Sequence, residues 1–193
     1  MKLGVGTGNA HKLEEFRRIL GPLLPALDLV PTTGPSPEET GSTFSENALI
    51  KARAAWTATG LPSIADDSGI EVDALGGAPG LYSQRYSPSA TDQDNLSLLL
   101  ANMDGIEDRG ASFVCAAALV SDGGEIVVEK RWRGMLALFA SGSGGFGYDP
   151  IFLPHDAPGS AADLSPEDKD RLSHRGQAFR ELVPYLKALG SSS

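Results

Sequence analysis

Apolar residues follow strand and helix periodicities in turn along the first part of the chain. Residues 2–7 are predicted to form a strand, and residues 10–20 and about 44–59 carry apolar side chains at helical spacing. An apolar run at residues 61–65 predicts a short buried strand, and residues 66–69 are interpreted as the turn that follows it. Strands and helices therefore alternate in the first third of the chain.

The remainder of the chain adds a hairpin and three further helices. One helix is predicted to begin near Thr91, and a short one near Ser165, where a proline occupies the first helical position. The runs at residues 111–121 and 125–133 favour strands, and the "DGG" between them is a strong hairpin signal. The last helix is predicted over about residues 174–189. This order of elements predicts an α/β protein with a mixed sheet.

Length and charge limit the classes of partner. A chain of 193 residues is predicted to be a single domain over residues 1–190, with residues 191–193 as a disordered tail. The formal net charge of -9, without a basic run, argues against nucleic acid as a partner. No segment approaches about 18 continuous apolar residues, so no membrane partner is expected. A single cysteine, Cys115, fits a reducing cytoplasm, which is the predicted location.

The first candidate for chemistry is the junction between the first strand and the first helix. Unpaired N–H groups and the helix dipole favour an anion at a helix N-terminus. Lys12 in the first turn opposes the usual dipole preference, which a nearby phosphate would explain. An exposed, solvated lysine is the alternative, and the motif alone is weak.

The second candidate is a pair of acids at the end of the short strand. Because successive strand side chains point to opposite faces, Asp66 and Asp67 are expected to have different roles. One would face a cleft, and the other would stabilise the turn. Glu38 and Glu39 in the polar loop of residues 32–43 could join Asp67 in holding a hard cation through oxygen ligands, although such a pair is usually only solvated.

The third candidate combines a glycine-rich loop and a helix start. Phe146 could stack on a base and Asp149 could accept hydrogen bonds from a base or a sugar, whereas a tight turn with Phe146 in the core is equally compatible. His174 and Arg175 follow Ser173 at a helix start, where arginine suits a phosphate or a purine carbonyl, or is simply solvated. Together the candidates predict a magnesium-dependent enzyme acting on a nucleotide.

Five segments, taken in order, resemble the inosine triphosphate pyrophosphatase family, also called the Ham1-like family. They are TGNAHKLEEFRRIL (residues 7–20), EETGSTFSENALIKARAA (38–55), ADDSGIEVDALGGAPGLYSQRYS (65–87), GSGGFGYDPIF (142–152) and SHRGQAFREL (173–182). The resemblance covers nearly the whole chain. It implies an α/β fold with an elongated central mixed sheet flanked by helices, in two lobes with the active site in the cleft between them.

The resemblance also implies an activity and an assembly. The activity is Mg²⁺-dependent hydrolysis of non-standard purine nucleoside triphosphates (ITP, dITP, XTP and dXTP) to the monophosphate and pyrophosphate, which removes them from the nucleotide pool. The assembly is a homodimer. Asp67 would be the general base and a metal ligand, with Glu38 as a second metal ligand. The substrate-binding residues would be Thr7, Gly8, Asn9, Ala10, His11, Lys12, Lys51, Ser68, Phe146, Gly147, Tyr148, Asp149, Lys169, His174 and Arg175.

Two alternatives remain open from the sequence. One is a phosphatase of broader specificity for modified nucleotides, including pyrimidines. The other is a nucleotide-binding sensor without catalysis, against which Asp67, Glu38 and Lys12 argue, because a binding module needs no water-activating carboxylate.

Overall fold

The computed structural model describes residues 1–190, and the tail predicted at residues 191–193 lies outside the described residues. Within the described residues the strands are β1 (Lys2–Val5), β2 (Asp28–Pro31), β3 (Ser63–Val72), β4 (Gly110–Ser121), β5 (Gly124–Leu136) and β6 (Phe152–Pro154). The helices are α1 (Ala10–Leu20), α2 (Phe44–Thr59), α3 (Asp92–Asn102), α4 (Pro166–Leu172) and α5 (His174–Gly190). None of these helices is both long and apolar enough to cross a membrane.

The strands form one mixed sheet in the order β2-β1-β3-β4-β5-β6. Strand β1 pairs in parallel with β2 and with β3, whereas β5 and β6 are antiparallel. The predicted α/β fold with a mixed sheet and flanking helices is therefore confirmed. Strands β2 and β6 were not predicted, because runs of four and three residues are too short to show a period.

The interpretation of residues 66–69 as a turn is wrong. Strand β3 continues without a break from Ser63 to Val72, so Asp66 and Asp67 lie in its middle rather than at its end. Residues 63–67 are all buried, and burial of successive residues hides the alternation that marks a half-exposed strand. Polar residues within a buried strand look like a turn in the sequence.

Capping residues mark the ends of several helices. The hydroxyl of Thr43 accepts the Glu46 N–H at 3.1 Å at the start of α2, and Gly60 ends the helix with φ of 67°, a conformation that favours glycine. Thr91 and Ser165 cap α3 and α4 in the same way as Thr43 caps α2. Local sequence therefore determines where these helices begin.

The described residues divide into two compact units, each with its own apolar core. The first contains Met1–Asp67, Cys115–Lys130 and the chain from Arg175 onward, and its core joins Phe16 of α1 to Phe179 of α5. The second contains Ser68–Val114 and Arg131–His174, with Phe113 and Phe152 in its core. The single domain over residues 1–190 and the two-lobed cleft both stay predictions.

Candidate active site

Asp66 is the centre of a buried charge network in the first unit. Its Oδ2 accepts hydrogen bonds from Arg175 Nε at 3.1 Å and Nη2 at 2.9 Å, and lies 3.2 Å from Lys12 Nζ. Arg175 also donates from Nη1 to Glu15 Oε2 at 2.5 Å. Burial alone would raise the pKa of Asp66, but the charges of Lys12 and Arg175 outweigh it and hold the pKa well below its usual 3.8. Asp66 is therefore a fixed anion.

Asp67 faces a different set of partners, as strand alternation predicted. Its Oδ1 accepts from Lys51 Nζ at 2.7 Å, and its Oδ2 accepts from Asn47 Nδ2 at 3.3 Å. Asn47 and Lys51 are four residues apart on α2 and so share one helix face. Burial raises the pKa of Asp67, and Lys51 offsets only part of that rise. A carboxylate with a raised pKa is a better proton acceptor near neutral pH.

The loop before α1 uses several of its own N–H groups. Asn9 Oδ1 accepts from His11 N at 2.9 Å and from Lys12 N at 3.2 Å, and Thr7 Oγ1 accepts from Asn9 N at 3.2 Å. The expectation of unpaired helix N–H groups is thus wrong for His11 and Lys12. The Asn9 side chain would have to move before the His11 and Lys12 N–H groups could bind an anion.

The structure distinguishes the two glutamates of the polar loop. Glu39 Oε1 lies 3.0 Å from Lys51 Nζ, the same ammonium that Asp67 binds, whereas Glu38 is exposed. The contact favours Glu39 as the carboxylate that acts with Asp67. Glu38 was assigned from the resemblance. The sequence alone could not decide between Glu38 and the adjacent Glu39.

In the second unit the glycine-rich loop is organised by Asp149. Its Oδ2 accepts from Phe146 N at 2.8 Å and from Lys169 Nζ at 2.5 Å, and Lys169 Nζ lies 4.8 Å from the centroid of the Phe146 ring. Phe146 is half-buried, while Lys169 and Asp149 are buried. These contacts bring the loop, α4 and the aromatic ring together.

Several backbone N–H groups of this loop already donate hydrogen bonds within the protein. Phe146 N–H is used by Asp149, Gly147 N–H donates to Asp92 Oδ2 at 2.9 Å, and Asp149 N–H donates to Phe146 O at 3.2 Å. Tyr148 points its hydroxyl inward, where it donates to Ser83 O at 2.7 Å. Readout of a purine by these three N–H groups would require breaking existing hydrogen bonds.

The two residues at the start of α5 have different surroundings. His174 belongs to the second unit, where its ring stacks on Phe113 with centroids 4.8 Å apart and an interplanar angle of 10°. Arg175 belongs to the first unit, where its guanidinium is committed to Asp66 and Glu15. Readout of the purine by Arg175 therefore stays a prediction, and the observed contacts give that side chain a structural task. Ser68 is half-buried on β3.

Three groups with defined contacts were not found from the sequence. They are Asn47, Glu15 and Asp92, which bond Asp67, Arg175 and Gly147 respectively. Asn47 could have been found, because it lies one helical turn before Lys51. Glu15 and Asp92 look like ordinary surface acids in the sequence, since their partners are 160 and 55 residues away.

A hard metal ion fits the carboxylates of the first unit. Among residues 1–190, no three His, Cys, Asp or Glu side chains converge as a complete metal site. Asp67 and Glu39 nevertheless share one cation, the Lys51 ammonium, and Asp66 Oδ1 is a buried oxygen without a hydrogen-bond partner. Magnesium commonly uses one or two carboxylates and takes its other oxygens from water and substrate phosphates. The donor set therefore suits an ion that arrives with a phosphorylated ligand.

The α/β fold places buried carboxylates and lysines side by side, an arrangement that suits an enzyme acting on phosphate compounds. The model of the Ham1 family matches residues 3–185. A protein of Mycobacterium tuberculosis named dITP/XTP pyrophosphatase is 50% identical over 198 residues, covering 98% of this chain and 97% of the relative. A protein of Methylococcus capsulatus with the same name is 49% identical, with 97% of each chain covered.

Solved structures agree with these sequence relatives. The HAM1 protein from Coxiella burnetii has a TM-score of 0.87 and 40% identity, covering 97% of this chain and 99% of its own. A nucleoside-triphosphatase / dITP/XTP pyrophosphatase from Mycobacterium abscessus has a TM-score of 0.74 and 46% identity, covering 96% of this chain and all of its own. The chain belongs to the Ham1 family, which confirms the resemblance drawn from its five segments.

Proposed function

We propose that this protein hydrolyses the non-standard purine nucleoside triphosphates ITP, dITP, XTP and dXTP to the monophosphate and pyrophosphate in the presence of Mg²⁺. The observation that carries the proposal is the buried Asp67, with a raised pKa, bonded to Lys51 beside Glu39. The enzyme class is confirmed, because the curated relatives that match nearly the full length are named dITP/XTP pyrophosphatases.

The chemistry follows from the first-unit residues. Asp67 takes a proton from a water molecule as the water oxygen bonds to the α-phosphorus, and the oxygen bridging the α- and β-phosphorus atoms leaves with pyrophosphate. Lys12 and Lys51 supply positive charge to the phosphates. Asp67 and Glu39 are the residues that would hold magnesium, which, when bound, neutralises phosphate charge.

The second-unit residues suit a purine with an oxo group. Phe146 offers a ring for stacking, and Lys169 beside it carries only N–H donors. An oxo oxygen can accept from such a donor, whereas a 6-amino group cannot. A mismatched buried polar group costs about 1–3 kcal/mol, which favours ITP over ATP by roughly 10- to 100-fold.

The decisive experiment is a product assay on ITP with Mg²⁺ and with EDTA. We expect IMP and pyrophosphate in equal amounts with Mg²⁺, almost no turnover with EDTA, and much slower hydrolysis of ATP. Release of inorganic phosphate alone, or faster turnover of ATP, would contradict the proposal. Modified pyrimidine triphosphates in the same assay test the broader specificity left open by the sequence.

Homodimer assembly and a cytoplasmic location are further parts of the proposal. The family resemblance supports the dimer, and the single, buried cysteine supports the location, because the chain needs no disulfide. Sedimentation of the purified protein tests the dimer directly.

Binding of the triphosphate should weaken at high pH because of Lys12. Burial lowers the pKa of Lys12 below its usual 10.5, and Asp66 restores only part of the loss. A protonated Lys12 attracts phosphate and a neutral one does not, so the KM for ITP should begin to rise at a pH below 10.5. In Lys12→Arg this rise should move to higher pH, because a guanidinium stays protonated.

The matched control for this pH dependence is Lys130→Arg. Lys130 pairs with Glu181 at the surface instead of with Asp66, so its replacement should leave the alkaline rise unchanged. An identical KM profile in the protein with Lys12 and in Lys12→Arg would show that another group controls binding at high pH.

A further inference from the structure

The glycine-rich loop of the second unit is held by two carboxylates on adjacent peptide groups. Asp149 Oδ2 accepts the Phe146 N–H at 2.8 Å, and Asp92 Oδ2 accepts the Gly147 N–H at 2.9 Å. The first acceptor belongs to the loop itself, whereas the second comes from the first turn of α3, 55 residues earlier in the chain. The loop is therefore fastened to an element outside it.

These two hydrogen bonds restrict both backbone torsions of Phe146. Each peptide group is planar, so an N–H held by a carboxylate restricts the orientation of its whole plane. The plane before Phe146 contains the Phe146 N–H, and the plane after it contains the Gly147 N–H. When both planes are held, the direction in which the Phe146 side chain leaves the backbone is also set.

The helix that carries Asp92 is capped at its start and packed into the core of the second unit. Thr91 caps α3 by accepting the Asp94 N–H at 3.2 Å, and Leu96 and Leu99 are buried in the core of the second unit. Gly147 itself has φ of 62° and no side chain to hold it in place. The Asp92 carboxylate thus connects the backbone of the loop to a helix that is packed into the core.

We propose that Asp92 is a positioning residue for the purine base, which fixes the peptide between Phe146 and Gly147 and so holds the Phe146 ring where the base stacks. The inference rests on the proposed function, because it assigns base stacking to Phe146. Asp92 has no part in the attack on phosphorus. Its loss should weaken binding of the base and leave the chemical step nearly unchanged.

The test compares Asp92→Ala, Asp92→Asn and Asp94→Ala in steady-state hydrolysis of ITP. We expect the KM of Asp92→Ala to rise about tenfold with kcat within about twofold, since a misplaced binding group costs affinity more than chemistry. Asp92→Asn keeps an oxygen acceptor and should restore a near-normal KM. Asp94 is the matched control, because it is another acid in the first turn of α3 but bonds Ser89 instead of the loop.

A second measurement does not depend on activity. Amide hydrogen exchange of Gly147 in the protein without substrate should be faster in Asp92→Ala than in the unmodified protein or Asp94→Ala. Faster exchange together with the KM effect supports the proposal. Unchanged exchange, an unchanged KM, or equal effects of Asp92→Ala and Asp94→Ala would overturn it.

Failure of the proposed function has a different signature. If the unmodified protein does not convert ITP to IMP and pyrophosphate, the proposed function and the role of Asp92 in base binding both fall. If the unmodified protein is active and only the Asp92 comparison shows no difference, the positioning role alone is refuted.

Discussion

Replacing Asp67 with asparagine should reduce kcat for ITP by about 10²- to 10⁴-fold, the usual contribution of a general base. The amide has nearly the size of the carboxylate and can still accept from Lys51, whose bond to Oδ1 measures 2.7 Å. It cannot take a proton from water. We therefore expect turnover to be lost while the far-UV circular dichroism and the binding of ITP change little.

Neighbouring acids provide the controls for Asp67. Glu39→Gln should raise the Mg²⁺ concentration needed for half-maximal activity, because Glu39 shares the Lys51 cation with Asp67. Glu38→Gln should not, because Glu38 is exposed. Normal turnover in Asp67→Asn would remove Asp67 from the role of base, and a Mg²⁺ shift confined to Glu38→Gln would restore the sequence assignment.

Replacing Asp66 with alanine should lower the free energy of unfolding by about 3–5 kcal/mol, because removing one member of a buried ion network leaves its partners uncompensated. Lys12 and Arg175 would lose the acceptor that they share, while Arg175 would keep its contact with Glu15. Urea unfolding at neutral pH measures the change. Asp66→Asn should act in the same direction, since an amide removes the charge but keeps the volume.

The surface pair of Arg53 and Glu125 is the matched comparison for Asp66. Its two hydrogen bonds, at 2.7 and 2.6 Å, are as short as those of the buried network, but both side chains are exposed. Glu125→Ala should therefore leave the midpoint of urea unfolding almost unchanged. Equal midpoints for Asp66→Ala and Glu125→Ala would show that burial does not strengthen the Asp66 network.

The stabilising effect of Asp66 should also depend on pH. Its folded pKa lies below the unfolded value of about 3.8, so its contribution is complete above that value. The contribution is lost as the pH falls from there toward the folded pKa. The difference in unfolding free energy between the unmodified protein and Asp66→Asn should therefore narrow in acid.

Much of the fold could be predicted because its signals are local. The caps Thr43, Thr91 and Ser165 each bond an N–H three residues later, so three neighbouring positions suffice to place a helix start. Strands β2 and β6 escaped prediction, because a strand of three or four residues gains its stability from its sheet neighbours.

The sequence predicted which types of residue form the candidate site. It did not predict which of these residues bond to one another. Strand alternation indicated that Asp66 and Asp67 differ. The sequence could not reveal that Asp66 is bonded by Arg175, because the two residues are 109 positions apart in the chain. It could not separate Glu38 from Glu39 either, since both suit a cation equally in isolation. Contacts between distant segments depend on how the elements pack.

By itself the sequence determined the α/β class, the helix starts and the family, and it identified the two adjacent acids as candidate site residues. Each of these features follows from short runs of residues, because the local chemistry of such a run is enough to indicate it. Only the tertiary structure decided that Asp66 is an anion fixed by Lys12 and Arg175 while Asp67 faces Lys51. The physical reason is that burial makes the pKa and the role of a carboxylate depend on the few charges that folding places within hydrogen-bond distance.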